Sequence, residues 1–237
     1  MAKKSKTSSS SSSSSGALPL CQRSVDLLFV LYYIIFIFTV GFTDLHNFTA
    51  SVMRVPVTDL EHMDLTWPPK FLTSLYFKWA RTVDPLLYEN PTWWQVIEWI
   101  NLLSLLPYAF IALFGFLRGW NWVRNWGIVF SSFTLYSLFL CIGCSLYGAT
   151  PTPNPPIFVA VYIPYAILPI LVIMRLWADK PFSEPMSAVK SAFLHFVGWS
   201  TMAVFFSYCL KWFVVYEPGM IPAEVLAEIE PILAQLP

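Results

Sequence analysis

Long apolar runs separated by short polar breaks set the plan of this chain. From Val25 to Phe42 the one charged residue is Asp26, in the first turn, and the run is bounded by Arg23 and Asp44. A second run extends from about Gln95 to Leu117 and stops at Arg118. A third, from about Trp126 to Tyr147, follows Arg124. A fourth reaches from Ile157 to Trp177, between Pro155-Pro156 and the pair Asp179, Lys180. A fifth, about Ser191 to Val215, is diluted by His195, Gly198, Ser200 and Ser207. It reads either as a span or as a segment lying in the membrane interface. A helix of about 20 mainly apolar residues crosses a hydrocarbon core of ~30 Å. The pattern therefore predicts an all-α membrane protein, a four-helix transmembrane bundle with a fifth C-terminal membrane helix. The first run is too long for a cleaved signal peptide and no small-residue cleavage site follows it, so it reads as a signal anchor.

Composition agrees and removes rivals. Of 237 residues, 57% are hydrophobic and 12% charged, half the share of about 25% that covers a soluble domain. A net charge of zero leaves no basic footprint for nucleic acid. Lys3, Lys4, Lys6 and Arg23 precede the first span, and Arg118, Arg124, Arg175, Lys180 and Lys190 fall in the turns after spans two and four. Basic residues collect on the cytoplasmic side, so the N-terminus is expected there and the loop from Asp44 to Trp94 in the lumen. Residues 1–22, with eight consecutive serines from Ser8 to Ser15, read as a disordered cytoplasmic tail. Residues 23–178 form the transmembrane domain and 179–237 an extension. In the extension, Val225, Leu226, Ile229, Ile232, Leu233 and Leu236 share one face of a short amphipathic helix interrupted by Pro231.

Ionisable groups in a bilayer are costly and mark cavities or partners, so they carry the functional signal. Glu98 and Asn101, three apart, share one face of span two, with Pro107 nearby to break the hydrogen-bond ladder. Asp44 closes span one, and Asp84 precedes a proline in Val83-Asp84-Pro85-Leu86-Leu87. From position alone Asp44 reads as a solvated boundary residue. In span four, Tyr162 and Tyr165 flank Pro164, with Pro169 one turn on, which suggests a bent helix beside a pocket. Cys141 and Cys144 form a C-x-x-C that reads as packing rather than redox or metal chemistry, because thiolates need water access. Asn47-Phe48-Thr49 matches the glycosylation pattern but lies close to the membrane edge. His46, His62 and His195 show no ligand spacing, so neither a metal nor another cofactor is expected.

Several of these pieces together resemble a known family. They are Phe77-Lys78-Trp79-Ala80, Val83-Asp84-Pro85-Leu86-Leu87, Asn90-Pro91-Thr92-Trp93 and Val159-Ala160-Val161-Tyr162-Ile163-Pro164-Tyr165, with Asp44-Leu45 at the end of span one. In this order and spacing they look like the sigma-2 receptor-like branch of the EXPERA-domain family, which is related to the emopamil-binding sterol isomerases. The resemblance runs from about Arg23 to Leu176. It implies an endoplasmic reticulum membrane protein whose intramembrane cavity takes a sterol or cationic amphiphilic ligand, with roles in sterol handling or trafficking. A partner in the membrane or a homodimer is compatible with it. It also implies that Asp44, Asp84, Tyr162 and Tyr165 belong to the ligand site. Two departures stand out. The family's span-two glutamate falls at Asn101, with Glu98 one turn earlier as a substitute, and the chain continues past span four. The first departure disfavours sterol isomerisation, which needs an acid to protonate the alkene and a group to take a proton back. A membrane scaffold that binds no ligand is the other alternative.

Overall fold

A computed structural model describes residues 16–235 of the chain; the serine run and Leu236 lie outside them. Among the described residues, five helices are long and apolar enough to cross a membrane: α1 (Asp26–Met53), α4 (Thr92–Arg118), α5 (Val123–Tyr147), α6 (Pro155–Leu176) and α7 (Ala188–Tyr216). The shorter helices α2 (Lys70–Thr82) and α3 (Pro85–Glu89) lie between α1 and α4, and α8 (Ala223–Leu233) follows α7. The chain is thus a multi-pass helical membrane protein. The closest helix pairs are α5 with α6, α6 with α7, and the first half of α1 with the second half of α4.

Helix α1 differs from its expected form. It does not end at Asp44 but continues to Met53, where Arg54 adopts a left-handed conformation and stops it. Asp44 therefore sits inside the helix, 4% exposed, and is not a solvated boundary residue. What marks the place is a π turn over Val40–Asp44. Helix α4 holds a second π turn over Asn101–Leu105. Pro107 explains the second: its ring nitrogen cannot donate to the carbonyl of Leu103, and the ladder widens in the turn before it. In the first, Thr43 Oγ1 lies 2.8 Å from the carbonyl of Thr39, a side-chain bond that competes with the regular ladder. The two π turns face each other across the α1–α4 contact.

The basic residues expected as free orientation charges are in part structural. Arg23, Asp26 and Arg175 are all buried. Asp26 accepts from Arg23, and from Arg175 Nε at 2.6 Å and Nη2 at 3.1 Å. The spare donors of Arg23 reach Phe116 O at the end of α4, where the helix dipole is negative. Both guanidiniums lie over the ring of Phe182, at 5.3 and 5.1 Å. One carboxylate thus ties α1, α4 and α6 together. Gly119, at φ +73, ends α4 beside this cluster, where a Cβ would meet Ala17 at 2.4 Å.

Candidate functional site

The facing π turns place a ladder of polar pairs between two antiparallel helices. Asn101 Nδ2 donates to Asp44 Oδ2 at 2.6 Å. One turn away, Asn47 Nδ2 donates to Glu98 Oε1. One turn further, Ser51 Oγ lies 3.4 Å from Gln95 Oε1. Each acid meets an amide on the other helix. One oxygen of each acid is thereby held as an acceptor.

The ladder is supported from outside the bundle. The Tyr76 hydroxyl, on α2, lies 2.7 Å from Asn47 Oδ1 and 2.8 Å from the carbonyl of Leu87. Burial, and then the nearby Glu98 charge, raise Tyr76 well above the usual tyrosine range, so its hydroxyl keeps its proton. His46 stacks on Tyr76 with centroids 4.4 Å apart and places Nδ1 2.6 Å from the carbonyl of Phe42. Glu98 is fully buried, with the indole N–H of Trp94 beside it. Asn47 is also fully buried, so it is not open to glycosylation in this fold.

Beside the Asp44 end of the ladder lies a cavity of about 260 Å³, close to the lower bound of ~300 Å³ for small-molecule sites. Its walls are mostly apolar. Phe36, Thr39, Val40 and Phe42 come from α1, Leu75 and Trp79 from α2, Trp94 from α4, Ser137 and Leu138 from α5, and Val161 from α6. Of the six sequence-predicted residues, Asp44, Asn101, Tyr162 and Tyr165 line it. Asp44 is the one Asp or Glu among the described lining residues. Its Oδ1 lies 2.7 Å from Thr43 Oγ1 and its Oδ2 takes the Asn101 amide. A carboxylate has about four lone-pair sites, so capacity remains for a donor arriving from the cavity.

Asp84 and Glu98 stand behind the wall. Asp84 is fully buried, accepts from the Tyr162 hydroxyl, and has Ser145 Oγ at 3.1 Å. It therefore fixes the orientation of a lining tyrosine without facing the cavity. Burial raises its pKa from 3.8 to about 6, against the pull of those two hydrogen bonds. Tyr165 is held separately, 3.1 Å from Thr39 Oγ1. Glu98 reaches the site only through its neighbours. Cys141 lies 4.0 Å from Asp84, in a packed position. Sequence reasoning missed the contribution of α7, which adds Phe205, Cys209, Trp212 and Phe213 to the lining. It also missed Asn47, whose three-residue spacing from Asp44 mirrors that of Glu98 and Asn101 and was the available signal.

Known proteins give this geometry a context. The family model described as EXPERA (EXPanded EBP superfamily) matches residues 70–176. The chain is 25% identical over 169 residues to sigma intracellular receptor 2 of Homo sapiens, covering 66% of this chain and 89% of that protein. It is 25% identical to the Xenopus tropicalis protein of the same name, over 52% of this chain and 81% of that one. It is 26% identical to that of Macaca fascicularis, over 46% and 69%. Residues 70–176 are thus similar to the EXPERA family, and the chain is similar to sigma intracellular receptor 2 proteins.

Proposed function

We propose that this chain is a receptor-like binder of sterol or related lipid, holding its ligand in the intramembrane cavity beside Asp44. The observation that carries the reading is an apolar cavity inside a helical membrane protein with a single carboxylate at one wall. An amphiphile with an amine or hydroxyl head fits that contrast. The apolar body leaves lipid for an apolar wall, and the head donates to Asp44, flanked by Asn101, Tyr162 and Tyr165. The similarity to sigma intracellular receptor 2 supports a receptor-like role; residence in the endoplasmic reticulum and a part in sterol handling or trafficking follow the family resemblance, and a cytoplasmic N-terminus follows the distribution of lysine and arginine.

Catalysis is the second reading. The resemblance extends to sterol isomerases, yet Asp44 and Glu98 each accept from an amide across the α1–α4 contact, and a binding role accounts for that arrangement without the acid–base pair that isomerisation needs. The test is saturable binding of a radiolabelled sterol photoprobe and of a cationic amphiphile to the purified chain. Asp44→Asn is expected to weaken the cationic ligand by at least about tenfold, because it removes a charge-assisted bond in a dry site. Glu98→Gln, behind the wall, is expected to act less. Equal affinity in Asp44→Asn and the parent would remove Asp44 from the site. No saturable binding by folded protein would favour the scaffold, and sterol turnover in the same sample would favour the enzyme.

A further inference from the structure

Helix α7 lies outside the matched residues 70–176, yet it is built into the cavity. Its first half is pinned to α1: His195 Nε2 lies 3.1 Å from Ser24 Oγ, and a Cβ on Gly198 would meet Leu28 Cδ2 at 2.0 Å. Its far end is pinned to α2. Lys78 Nζ donates to the carbonyl of Tyr216 at 2.8 Å and pairs with Glu217 at 2.6 Å. Trp212 Nε1 donates to Thr82 Oγ1 at 2.9 Å. Between these anchors Phe205 and Cys209 line the cavity, and the anchoring Trp212 lines it too. Tyr165 stacks against Phe205 with centroids 6.2 Å apart, so a ligand touching the tyrosine meets the phenylalanine next. On α1, Phe38 lines the same cavity while 65% exposed, which puts the rim of the cavity at the membrane-facing surface of α1.

We propose that α7 is a wall of the ligand site, with Phe205 and Cys209 as specificity-determining residues that fix the width of the sterol-like body the cavity accepts. The inference rests on the reading that the cavity binds an amphiphilic lipid. An anchored wall sets a size limit that lipid in its place would not set, because protein side chains at native density yield little to an overlarge guest. Cys209 is a small side chain on that wall, so a larger residue there subtracts volume directly from the cavity.

The experiment is photolabelling of the full chain in detergent with a diazirine cholesterol analogue, read by mass spectrometry of the labelled peptides. Saturable, competable labelling on both the Phe36–Asp44 and the Phe205–Phe213 peptides is expected. Cys209→Trp should cut saturable labelling by at least about tenfold, the effect of overfilling a packed site, and Val204→Trp, on the exposed face of the same helix, should keep it. The Val204 variant, and the melting temperature of each variant, separate a filled cavity from a failed fold. Saturable labelling confined to the α1 peptide, or undiminished labelling of folded Cys209→Trp, would overturn this inference and leave the cavity reading standing. No saturable labelling on any peptide of the folded parent chain would overturn both.

Discussion

Asp44 and Asn47 stand three residues apart on α1, and Glu98 and Asn101 stand three apart on α4. Because the helices run antiparallel, the spacings interlock and each acid finds an amide. Three of these four residues were legible in the sequence. A charged or amide side chain inside an apolar run stands out, so Asp44, Glu98 and Asn101 were visible. Asn47 was hidden by a local pattern that reads as a solvent-facing acceptor. Asp84 gives the residue scale its pH dependence. Its folded pKa of about 6 lies above the ordinary 3.8, so the folded state holds the proton more tightly. The stabilisation it contributes is therefore fully present below pH 3.8 and is lost as pH rises through about 6, a change on the order of 3 kcal/mol. Thermal melts of the purified chain are expected to show that fall, and Asp84→Asn to remove this component while leaving the rest of the pH profile. Identical pH profiles for the two proteins would mean that Asp84 titrates normally.

At the scale of elements, polar residues located the spans and missed how they pack. The run boundaries placed five helices, and five are found among the described residues, with α7 long and apolar enough to cross. The extension of α1 beyond Asp44 was not legible, because Leu45 to Met53 is mixed in character and owes its helix to packing on α2 and α4. Nor was the α7 wall. Aromatic side chains in an apolar helix look alike whether they face lipid, core or cavity. Gly198 offers a direct test of how α7 is seated. A side chain there collides with Leu28, so Gly198→Val should lower stability by about 1–3 kcal/mol. Leu28→Ala, which vacates that space, should recover part of the loss in the double variant. The measurement is a double-mutant cycle on detergent melts, and strict additivity would show that α7 and α1 do not meet at this point.

For the whole molecule the open question of mechanism is orientation, since it decides which compartment the Asp44 end of the cavity adjoins. The ends of α4 and α6 and the starts of α1, α5 and α7 gather at one membrane face, and the α2–α3 region at the other. Basic residues had argued for a cytoplasmic N-terminus, but Arg23 and Arg175 share Asp26 and are sequestered from lipid headgroups. The bias must then rest on Lys3, Lys4, Lys6, Arg118, Arg124, Lys180 and Lys190, set against Asp179 and Glu184. That margin still favours the cytoplasm, because lysine and arginine dominate orientation while acids contribute little. The opposite face carries both signs, as in the surface pair of Lys70 with Asp64 at 3.0 Å. Orientation follows from single exposed positions on the two faces, Lys180 and Asp64. In a Cys21→Ser background, Lys180→Cys in sealed endoplasmic reticulum vesicles is expected to react with a membrane-impermeant maleimide. Asp64→Cys should react only after permeabilisation. The reverse pattern would invert the protein, place the Asp44 end of the ligand cavity toward the cytoplasm, and make the Arg23–Asp26–Arg175 cluster a lumenal staple.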